Sequence, residues 1–592
     1  MQQAMRRYRL DSGDFKLMKR IFLSDYKVRP DTGADLLPAL KKAIECAGEC
    51  PDVCEIVFEN GVYDIYCNNL TPFDIHISNT HSEEEGKSIT RNFAVLLNGC
   101  KGVTLNGNGA ALRFHGKMSM IGMIGCRDIE IKNFELSAVH PPLTEMTVIS
   151  EGRGYIDCRV ATDSLYRIKN KKVEWYGENF AFSAGVSQLF DPESGITWRS
   201  FGPMQDENAV WEEISNGVLR IHYAEEDVTN PYGAKIGYVF QMRDPFRDEC
   251  GILISDSDNI SVKNTLIHFM HCMGFLAQNS SNITADGLSV LPERGRTAAA
   301  SADIMHFSGC RGRVSIKNGC FKGSHDDAVN IHGTHLIITE CRRANNSVTL
   351  RFMHPQTFGI GGFRANDRIA AVNPDTLLTE GEAEVAEVCE LSAREIQLIL
   401  RGDISHFKEG FAVENISAMP VVEIKNNYFE RVPTRGILVT TGKMVRIDNN
   451  IFNRIKGCGI LIADDAKSWF ESGRVCNALI KNNVYRNSGG PFVRVAPENS
   501  EYAGAVHKNI AVTENEIFFE KNSNEIFSRI NPWEIKQNNI IFEARCTDNI
   551  KFVGNRINGE EEECVIHTEK CGFADISDNS FAGRIVSKEF SS

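Results

Sequence analysis

The chain has 592 residues, of which 42% are hydrophobic, so it is too long for one ordinary compact core and too apolar to be disordered throughout. Its net charge of −13 at pH 7 argues against nucleic acid or an anionic membrane as a partner, and no apolar run is long enough to span a bilayer. No export signal is recognisable behind Arg6 and Arg7, which predicts a cytoplasmic protein with reduced cysteines for the sequence as written.

The first predicted elements are a strand beginning near Ile21, a turn rich in Asp and Gly, and an amphipathic helix that starts near Leu36. Asp35 is a plausible N-cap of this helix, and Pro38 suits its first turn. Such a helix can cover the first exposed edge of the sheet that follows.

From about residue 55 the chain alternates short apolar runs with Asn, Gly and Ser, and the pattern recurs roughly every two dozen residues. Copies of this repeat include Val103–Leu105, Ile129–Asn133, Ile260–Asn264, Ile283–Ala285, Val422–Asn426, Val445–Asn449 and Leu479–Asn482. Strands this short leave no room for helices within a repeat. The pattern therefore predicts a right-handed parallel β-helix, whose coils bury their apolar faces by stacking and whose corner Asn residues pair between coils.

Two other repeat architectures fit less well. A leucine-rich repeat would need a Leu/Asn consensus that is missing, and a propeller would need about 40 residues per blade. The expected class is therefore all-β, a right-handed parallel β-helix with an N-terminal capping helix.

Two stretches interrupt the repeat and alternate like antiparallel strands, which predicts two inserted β-barrel-like subdomains. The second stretch begins a few residues after Asp327, so we expect it to form a wall beside that residue. The predicted division of the chain is 1–54 for the N-terminal strand and helix, 55–136 for the first β-helix part, 137–249 for the first insertion, 250–335 for the central coils, 336–413 for the second insertion and 414–592 for the C-terminal coils.

An acidic stretch occupies two of the central coils. If Gly309 is aligned with Gly333, Asp303 falls on Asp327 and His306 falls on Asn330. Val329 and Ile331 then point inward, whereas Ala328, Asn330 and His332 point outward, and a turn before each strand can direct Asp303 and Asp327 outward as well.

Carboxyl groups held this close cannot all ionise freely, so one of Asp303, Asp326 and Asp327 should keep a proton near neutral pH. Glycoside hydrolysis needs one carboxylic acid and one carboxylate, and this cluster can supply both. Alternative interpretations remain open: Asp at a β-helix turn can bind backbone N–H groups or calcium, and His306, His325 and His332 can be sheet-surface hydrogen-bonding residues.

The segment Ser324–Gly333, with an Asp one coil earlier, resembles the acidic core of polygalacturonase-type β-helix hydrolases. The chain as a whole more closely resembles glycoside hydrolase family 110, the α-1,3-galactosidases that remove terminal galactose, including that of the blood-group B structure. The segments that carry this resemblance are Leu105–Gly109, Met242–Phe246, Ala302–His306, Ser324–Gly333 and His354–Gly359.

The resemblance implies an exo-acting, inverting hydrolase of galactose-terminated oligosaccharides or glycoconjugates, with no metal and no cofactor. It implies Asp303, Asp326 and Asp327 as the catalytic residues. From their columns, Asp326 is expected to be the general acid, while Asp303 and Asp327 hold and deprotonate the attacking water. Inversion is expected to need an acid and a base about 6.5–9.5 Å apart. The expected substrate-binding residues are His306, His325, Asn330, His332 and Arg435.

An aromatic ring should cover the apolar face of the galactose, and Trp175, Trp198 and Trp211 of the first insertion are available for this or for the core of the insertion. The resembled family is usually exported, unlike the expectation for this sequence. Three alternative functions stay open: a polygalacturonase-like hydrolase, a calcium-dependent polysaccharide lyase, and a non-catalytic carbohydrate-binding β-helix. The oligomeric state is not predicted.

Overall fold

A computed structural model describes residues 6–7, 17–50, 52–86, 88–223, 230–519, 540–559 and 563–589. Its body is the predicted right-handed parallel β-helix, in which strands of each coil pair in parallel with those of the coils before and after. One continuous apolar core fills the coils from the N-terminal helix to the last turns. All 18 cysteines are free thiols in the structure.

Two sheets form this body. The larger, called here the corner sheet, bends around a corner in each coil, and its 22 strands are Arg6–Arg7, Leu17–Phe22, Cys54–Val57, Val62–Tyr66, Val103–His115, Arg127–Ala138, Asp258–Ile267, Ser281–Val290, Arg311–Lys317, Cys320–Lys322, Val421–Lys425, Tyr428–Val432, Met444–Asp448, Ile451–Ile455, Asn477–Lys481, Val484–Arg486, His507–Thr513, Glu516–Phe519, Thr547–Val553, Arg556–Gly559, Ala574–Asp575 and Ser580–Phe581. The second, called here the site sheet, has 14 strands: Thr71–Asp74, Thr90–Asn98, Ser119–Ile124, Cys250–Ser255, Met273–Gln278, Met305–Ser308, Val329–Thr334, Ile437–Val439, Ile460–Ile462, Glu471–Ser472, Val493–Val495, Ile540–Arg545, Glu563–Glu569 and Arg584–Glu589.

The predicted pairing of corner asparagines between coils is observed in an exposed column, where Asn449 donates to Asn426 at 2.7 Å. The residue that follows each of these asparagines belongs to a second column, which is buried inside the bend of the corner sheet and was not predicted. The side-chain oxygen of Asn450 accepts hydrogen bonds from the backbone N–H and the side chain of Asn427, both at 2.9 Å. Asn450 donates in turn to Asn483. The column continues through Asn515 and Asn555. Each coil is therefore tied to its neighbours by buried amide hydrogen bonds as well as by its strands.

The N-terminal helix spans Leu37–Gly48 and packs its apolar side into the core at the start of the β-helix. The predicted N-cap was wrong by one residue: Leu36 is the N-cap, with near-helical backbone angles. Asp35 precedes it, and its carboxylate accepts hydrogen bonds from the backbone N–H of Leu37, at 3.2 Å, and from the side-chain amide of Asn69, at 2.7 Å. Among the described residues, no helix has the length and apolar character needed to cross a membrane.

Short 3₁₀ helices span Leu23–Tyr26, Cys67–Asn69, Glu83–Glu85 and Arg343–Asn345.

The first insertion consists of antiparallel strands around a core of its own. Its seven-stranded sheet comprises Leu143–Gly152, Tyr155–Val160, Ser187–Asp191, Ile196–Ser200, Val210–Ser215, Val218–His222 and Val239–Arg243, and its three-stranded sheet comprises Leu165–Lys169, Lys172–Tyr176 and Ala181–Phe182. Glu145 docks this insertion on the β-helix, because its carboxylate accepts hydrogen bonds from the backbone N–H groups of Thr297 and Ala298 and from the Thr297 hydroxyl.

The second insertion is a closed barrel of six antiparallel strands, Leu336–Arg342, Ser347–Arg351, Arg368–Val372, Thr379–Glu390, Glu395–Arg401 and Ala412–Asn415. Arg311 of the β-helix forms two hydrogen bonds of 2.7 Å with the carboxylate of Asp367 in the barrel. A bidentate pair of this kind fixes orientation as well as distance. The residue boundaries predicted for the domains stay predictions.

Candidate active site

The acidic stretch lies where two neighbouring coils enter the site sheet. Their strands pair in parallel with His306 opposite Asn330, which confirms the predicted register. Asp303 and Asp327 consequently occupy equivalent positions, two residues before each strand. The backbone N–H of Asp327 donates to Oδ1 of Asp303 at 3.1 Å, so the repeat geometry itself brings the two aspartates together.

The inward side of these strands also matches the prediction, with one exception. Ala328 was expected to point outward, but it is fully buried in the apolar core. The strand begins only at Val329, and the turn before it does not keep the alternation of a strand. The other core residues at this level are Met305, Phe307, Val329 and Ile331.

The three aspartates converge, although they differ in exposure. One carboxylate oxygen from each of Asp303, Asp326 and Asp327 lies within 4.8 Å of those of the other two. The side chain of Asp326 is 17% exposed, whereas those of Asp303 and Asp327 are 9% and 1% exposed. Asp326 is therefore the member of this aspartate trio that a ligand reaches most easily.

Two arginines contact the exposed member of the trio. Oδ2 of Asp326 lies 2.9 Å from a guanidinium nitrogen of Arg199 and 3.3 Å from one of Arg247. Arg199 lies in a strand of the first insertion, and Arg247 lies in the segment that returns from it to the β-helix. Sequence reasoning missed both arginines; the nearest signal was the position of Arg247 directly after the motif Met242–Phe246.

Asp327 is held from the following coil. Its Oδ1 accepts hydrogen bonds from the hydroxyl of Thr434 at 2.5 Å and from the backbone N–H of Arg435 at 3.0 Å. Its Oδ2 lies 2.7 Å from the guanidinium group of Arg435. Arg435 was expected to bind substrate or to pair with the carboxylates, and the structure places its guanidinium group against the carboxyl group of Asp327.

The environment separates the acidities of the trio. Burial raises the pKa of Asp303 to about 7, and the charge of Asp326 acts in the same direction. Burial raises the pKa of Asp327 to about 8, because it outweighs the opposing effect of Arg435. Burial acts on Asp326 too, but there Arg199 and Arg247 prevail and the pKa is lowered. Near neutral pH the free protein therefore keeps charge on Asp326 and retains protons on the buried members.

This distribution bears on the expected roles of the three aspartates. A general acid must carry a proton when the substrate arrives, and the arginines disfavour a proton on Asp326 in the free protein. Three carboxyls this close titrate as a unit, so protons belong to the whole trio rather than to one residue. Asp326 can act as the acid when its contacts with Arg199 and Arg247 open.

Two of the predicted substrate-binding residues, His306 and His332, lie in a hydrogen-bonded chain behind the trio, and a third, Asn330, contacts Glu471 beside this chain. His306 Nδ1 contacts Asp303 Oδ2 at 2.8 Å, and His306 Nε2 contacts His332 Nε2 at 3.0 Å. His332 Nδ1 lies 2.6 Å from the carbonyl oxygen of Gly333, and Asn330 donates to Glu471 at 3.3 Å. Every ring nitrogen of the two histidines has a protein partner, so the geometry favours a role other than contact with a sugar.

His325, a further predicted substrate-binding residue, is buried beside Asp326. Neither of its ring nitrogens has a hydrogen-bond partner in the structure. Burial lowers its pKa well below the usual value, and the charges of Arg243 and Arg199 add to this effect. The ring is therefore neutral near pH 7, and its contact with a substrate stays a prediction.

The tryptophans considered for the sugar platform belong to the core of the first insertion. Trp175, Trp198 and Trp211 are 0%, 7% and 2% exposed and pack in one apolar cluster. Of the two uses left open by the sequence, packing inside the insertion is the one observed. None of the three presents a free ring face to a ligand.

A different tryptophan is exposed near the trio. Trp469 is 45% exposed, and its ring stacks on that of His354, from the second insertion, with 4.4 Å between ring centroids. The Asp465 carboxylate accepts the backbone N–H groups of Ser468, Trp469 and Phe470, which fixes the loop. No sequence pattern pointed to Trp469, because this residue lies in a short segment between repeats.

The loop that carries Trp469 continues into a strand that lies beside the histidines behind the trio. Two residues after Trp469, Glu471 begins a short strand that pairs with Gly333 and Thr334 at the end of the strand carrying His332. The Glu471 carboxylate lies 3.5 Å from Nε2 of His332. The exposed ring and the buried histidines are therefore parts of one neighbourhood.

A cation site is a further possibility that the trio raises. Among the described residues, it is the one group of three or more His, Cys, Asp or Glu side chains whose ligand atoms converge. Arginines already pair with two of its members, Arg199 with Asp326 and Arg435 with Asp327. Because these guanidinium groups supply positive charge where a metal ion would supply it, we assign no metal to the trio.

Known proteins share both insertions and most of the chain. Residues 144–233 match the family model GLAA-B beta-barrel domain I, and residues 347–407 match GLAA-B beta-barrel domain II. The protein named alpha-1,3-galactosidase A of Bacteroides thetaiotaomicron is 39% identical over 506 residues, which cover 84% of this chain and 87% of that protein. This chain belongs to the α-1,3-galactosidase family. The family predicted from sequence resemblance is thereby confirmed.

Other comparisons agree with this assignment. The alpha-1,3-galactosidase A of Akkermansia muciniphila is 34% identical to this chain, over 74% of this chain and 73% of that protein. Membership makes the chain a glycosidase. Among solved structures, the Streptococcus pneumoniae surface protein PfbA aligns over 97% of this chain and all of its own chain, with 13% identity and a TM-score of 0.45, too remote to carry an inference.

Proposed function

We propose that this chain is an exo-acting, inverting hydrolase that releases terminal α-1,3-linked galactose from oligosaccharides or glycoconjugates, of blood-group B type, of linear Gal-α-1,3-Gal type, or both. The observation that carries the proposal is the trio, in which three carboxyl groups meet within 4.8 Å. Its environment favours charge on Asp326 and protons on Asp303 and Asp327. The names of the relatives support galactose as the sugar.

The most exposed carboxyl, Asp326, meets the glycosidic oxygen in the proposed reaction. The sugar enters beside Asp326 and displaces Arg199 and Arg247, which removes the contacts that lower the pKa of this carboxyl. A proton of the trio then resides on Asp326 and passes to the leaving oxygen. Asp303 and Asp327 hold the attacking water.

Burial supports attack by water rather than by a carboxylate. Asp303 and Asp327, with side chains 9% and 1% exposed, are held by backbone and side-chain donors and do not reach an anomeric carbon directly. A carboxylate that acts through water inverts the anomeric centre. The selected carboxylate oxygens of the trio, all within 4.8 Å of one another, are nevertheless closer than the roughly 6.5–9.5 Å usual between the carboxyl groups of inverting enzymes, and nearer to the roughly 5–5.5 Å of retaining ones. The first anomer formed is therefore the decisive measurement.

The experiment measures galactose release from Gal-α-1,3-Gal and from the blood-group B trisaccharide, with and without a chelator. Proton NMR during the first turnovers identifies the anomer. We expect release that is insensitive to the chelator, with β-galactose as the first product. α-Galactose as the first product would disprove the inverting mechanism, and the absence of release from both substrates would disprove the proposed specificity.

The same assay separates the alternative functions. A calcium-dependent lyase would act on a uronic acid polymer, lose activity in chelator and form unsaturated products that absorb ultraviolet light. A polygalacturonase-like hydrolase would release reducing ends from polygalacturonate without that absorbance. A carbohydrate-binding β-helix would bind galactosides and release nothing.

Trp469 is the proposed platform for the apolar face of a sugar. Asp465 fixes the loop of Trp469, and His354 stacks against one face of its ring. A sugar that stacks on the exposed face therefore binds a side chain that is already ordered, and little conformational entropy is lost. We expect Trp469→Ala to raise KM about three- to tenfold, since an aromatic contact contributes about 0.5–1.5 kcal/mol beyond area, with kcat changed less than about twofold.

The matched control for this prediction is Tyr502→Ala, which removes another exposed aromatic ring, 50% exposed and placed beside Lys570. Steady-state kinetics on the disaccharide should give this control the KM of the unaltered protein. An unchanged KM in Trp469→Ala would reject the platform.

A further inference from the structure

Behind the aspartate trio runs a buried chain of hydrogen bonds with a countable number of protons. It comprises the contacts of Asp303 Oδ2 with His306 Nδ1 (2.8 Å), of His306 Nε2 with His332 Nε2 (3.0 Å) and of His332 Nδ1 with the Gly333 carbonyl oxygen (2.6 Å). His306 is fully buried, and His332 is 2% exposed. Each of the three contacts needs one hydrogen between its two atoms.

The hydrogens of this chain of hydrogen bonds can be counted from its end at the Gly333 carbonyl oxygen. A carbonyl oxygen can only accept, so Nδ1 of His332 carries a hydrogen. Two neutral imidazole rings carry one hydrogen each, which serves two of the three contacts. A third hydrogen must be present, either as the acid proton of Asp303 or as the extra proton of a charged ring.

Burial decides where the third hydrogen resides in the free protein. Placing it on a ring creates a buried imidazolium beside a buried carboxylate, whereas placing it on Asp303 leaves all three groups neutral. The acidities agree: burial raises the pKa of Asp303 to about 7, lowers that of His306 to about 4 and lowers that of His332. In the free protein Asp303 therefore donates its O–H to Nδ1 of His306, and Nε2–H of His306 donates to His332.

One charged group beside this chain, Glu471, favours movement of the proton toward the far end of the chain. Asp326, Arg247, Arg435 and Glu471 surround the carboxyl of Asp303. Asp326, Arg247 and Glu471 act on His306. Glu471 lies 3.5 Å from Nε2 of His332, where a positive charge on that ring would be stabilised.

We propose that Asp303, His306 and His332 form a proton relay that carries the proton of the attacking water from the trio to the side of Glu471. The proposal rests on the hydrolytic function proposed above. It explains how a carboxyl that is protonated at rest can still serve as a base.

The transfer is balanced at every atom. As the oxygen of the attacking water bonds to the anomeric carbon, its O–H bond breaks and the proton joins Oδ1 of Asp303. The proton on Oδ2 passes to Nδ1 of His306, and the proton on Nε2 of His306 passes to Nε2 of His332. His332 becomes an imidazolium beside the Glu471 carboxylate, Asp303 remains a neutral acid, and no oxidant or reductant takes part.

The first test reads the tautomers directly and does not depend on activity. In protein labelled with ¹⁵N-histidine, at pH 6 and without substrate, we expect His306 as the neutral Nε2–H form and His332 as the neutral Nδ1–H form, with signals assigned through His306→Gln and His332→Gln. An Nδ1–H form of His306 would place the negative charge on Asp303 and overturn the relay.

The second test uses His332→Gln, whose side-chain amide can accept from Nε2–H of His306, or donate to a bare Nε2, but cannot pass a proton on. We expect kcat to fall about 10²-fold, the lower end of what a positioned acid or base contributes, with KM unchanged. The solvent isotope effect on kcat should reflect several moving protons in the unaltered enzyme and fewer in the variant. An unchanged isotope effect would overturn the relay.

The pH dependence follows from the same count. Loss of the third hydrogen leaves two nitrogen lone pairs facing each other at 3.0 Å, which opposes deprotonation. His332→Gln supplies a hydrogen at that contact, so the carboxyl of Asp303 should lose its proton at lower pH than in the unaltered protein. Infrared spectra of the protonated carboxyl measure this shift, and a shift to higher pH or none would count against the relay.

Two further variants complete the design. Glu471→Gln keeps the acceptor oxygen for Asn330 but removes the charge beside His332, and we expect about a tenfold lower kcat. His507→Gln removes a fully buried histidine elsewhere, whose Nδ1 accepts from Val475, and should leave kcat and the isotope effect unchanged. If the enzyme releases no galactose while the tautomers are as expected, the proposed function fails and the hydrogen-bond assignment stands.

Discussion

Replacement of Asp303, Asp326 or Asp327 by Asn is expected to lower kcat on Gal-α-1,3-Gal by about 10²–10⁴-fold in each case, because each variant removes a group that holds or transfers a proton. None of the three side chains belongs to the apolar core, so all three variants should fold. Asn at position 303 can still accept from the N–H of Asp327 and donate to His306, as the protonated acid does.

The three variants should differ in stability. Asn at position 327 places an amide N–H₂ group, which cannot accept a hydrogen bond, where Oδ2 of Asp327 accepts from the guanidinium group of Arg435 at 2.7 Å. We therefore expect Asp327→Asn to have the lowest melting temperature of the three and Asp303→Asn the highest. Circular dichroism with temperature tests this order, and it shows that each inactive variant is folded.

A matched control for the loss of activity is Asp286→Asn, in the corner sheet. Asp286 accepts a hydrogen bond from Asn318 at 2.7 Å, which an amide oxygen can also accept. This variant should keep full activity. A trio variant that is folded and as active as the control would remove that aspartate from the proposed mechanism.

Substrates with better leaving groups assign the roles within the trio. A dinitrophenyl α-galactoside needs no protonation of its leaving oxygen, so the variant of the general acid should hydrolyse it nearly as fast as the unaltered enzyme does. We expect that behaviour from Asp326→Asn alone. The same behaviour in Asp303→Asn or Asp327→Asn would assign the acid to that residue and would contradict the role proposed for Asp326.

Replacement of Asn450 by Ala is the second change with a large expected effect, this time on stability. The side-chain oxygen of Asn450 accepts two hydrogen bonds from Asn427, and its amide donates to the carbonyl oxygen of Ile424 at 2.9 Å. All of these groups are buried, and a buried group without a partner costs about 1–3 kcal/mol. We expect the free energy of unfolding to fall by about 3–5 kcal/mol.

Chemical denaturation followed by circular dichroism measures this loss. The neighbouring Asn449→Gly is the matched control: Asn449 is exposed, its amide donates only at the surface, to Asn426, and glycine freely adopts its left-handed backbone with φ of 56°. Its unfolding midpoint should stay close to that of the unaltered protein. Equal midpoints for Asn450→Ala and the control would show that the asparagine column contributes little.

The fold and the position of the trio could be predicted because both are local properties of a repeat. Once the coil length is known, the residue opposite any given position follows, and Asp303 meets Asp327 within two successive coils. The same logic predicted that corner asparagines pair between coils, as Asn449 does with Asn426. Stacked coils make sequence spacing equivalent to spatial distance, and few other folds do so.

The charge balance of the trio could not be predicted in this way. Arg247 and Asp326 are 79 residues apart in sequence, and Thr434 and Asp327 are 107 apart. Both contacts depend on how an insertion returns to the β-helix, which no repeat encodes. The apparent role of the histidines changed for a related reason, because a residue on the outer side of a strand can still be covered by other parts of the chain.

The positions of the exposed and buried tryptophans could not be predicted from the sequence either. Trp175, Trp198 and Trp211 lie in alternating strands, and alternation alone does not say which side of a sheet packs inside its own insertion. Trp469 lies in a loop without a repeat pattern, yet it is the tryptophan near the trio with an exposed ring. The hydrogen bonds of Asp465 that fix its loop join residues close in sequence, but their geometry emerges only in the fold.

Because Arg199 and Arg247 contact Asp326 from outside the coils, the acidity of Asp326 can change independently of the spacing of the carboxyl groups. The spacing of the carboxyl groups depends on the coils, whereas the acidity of Asp326 depends on side chains from an appended subdomain. Substitutions in that subdomain could therefore move the pH optimum of a descendant enzyme while the carboxyl groups keep their positions. A lineage of such proteins could adapt to habitats of different acidity by changing its periphery and conserving its coils.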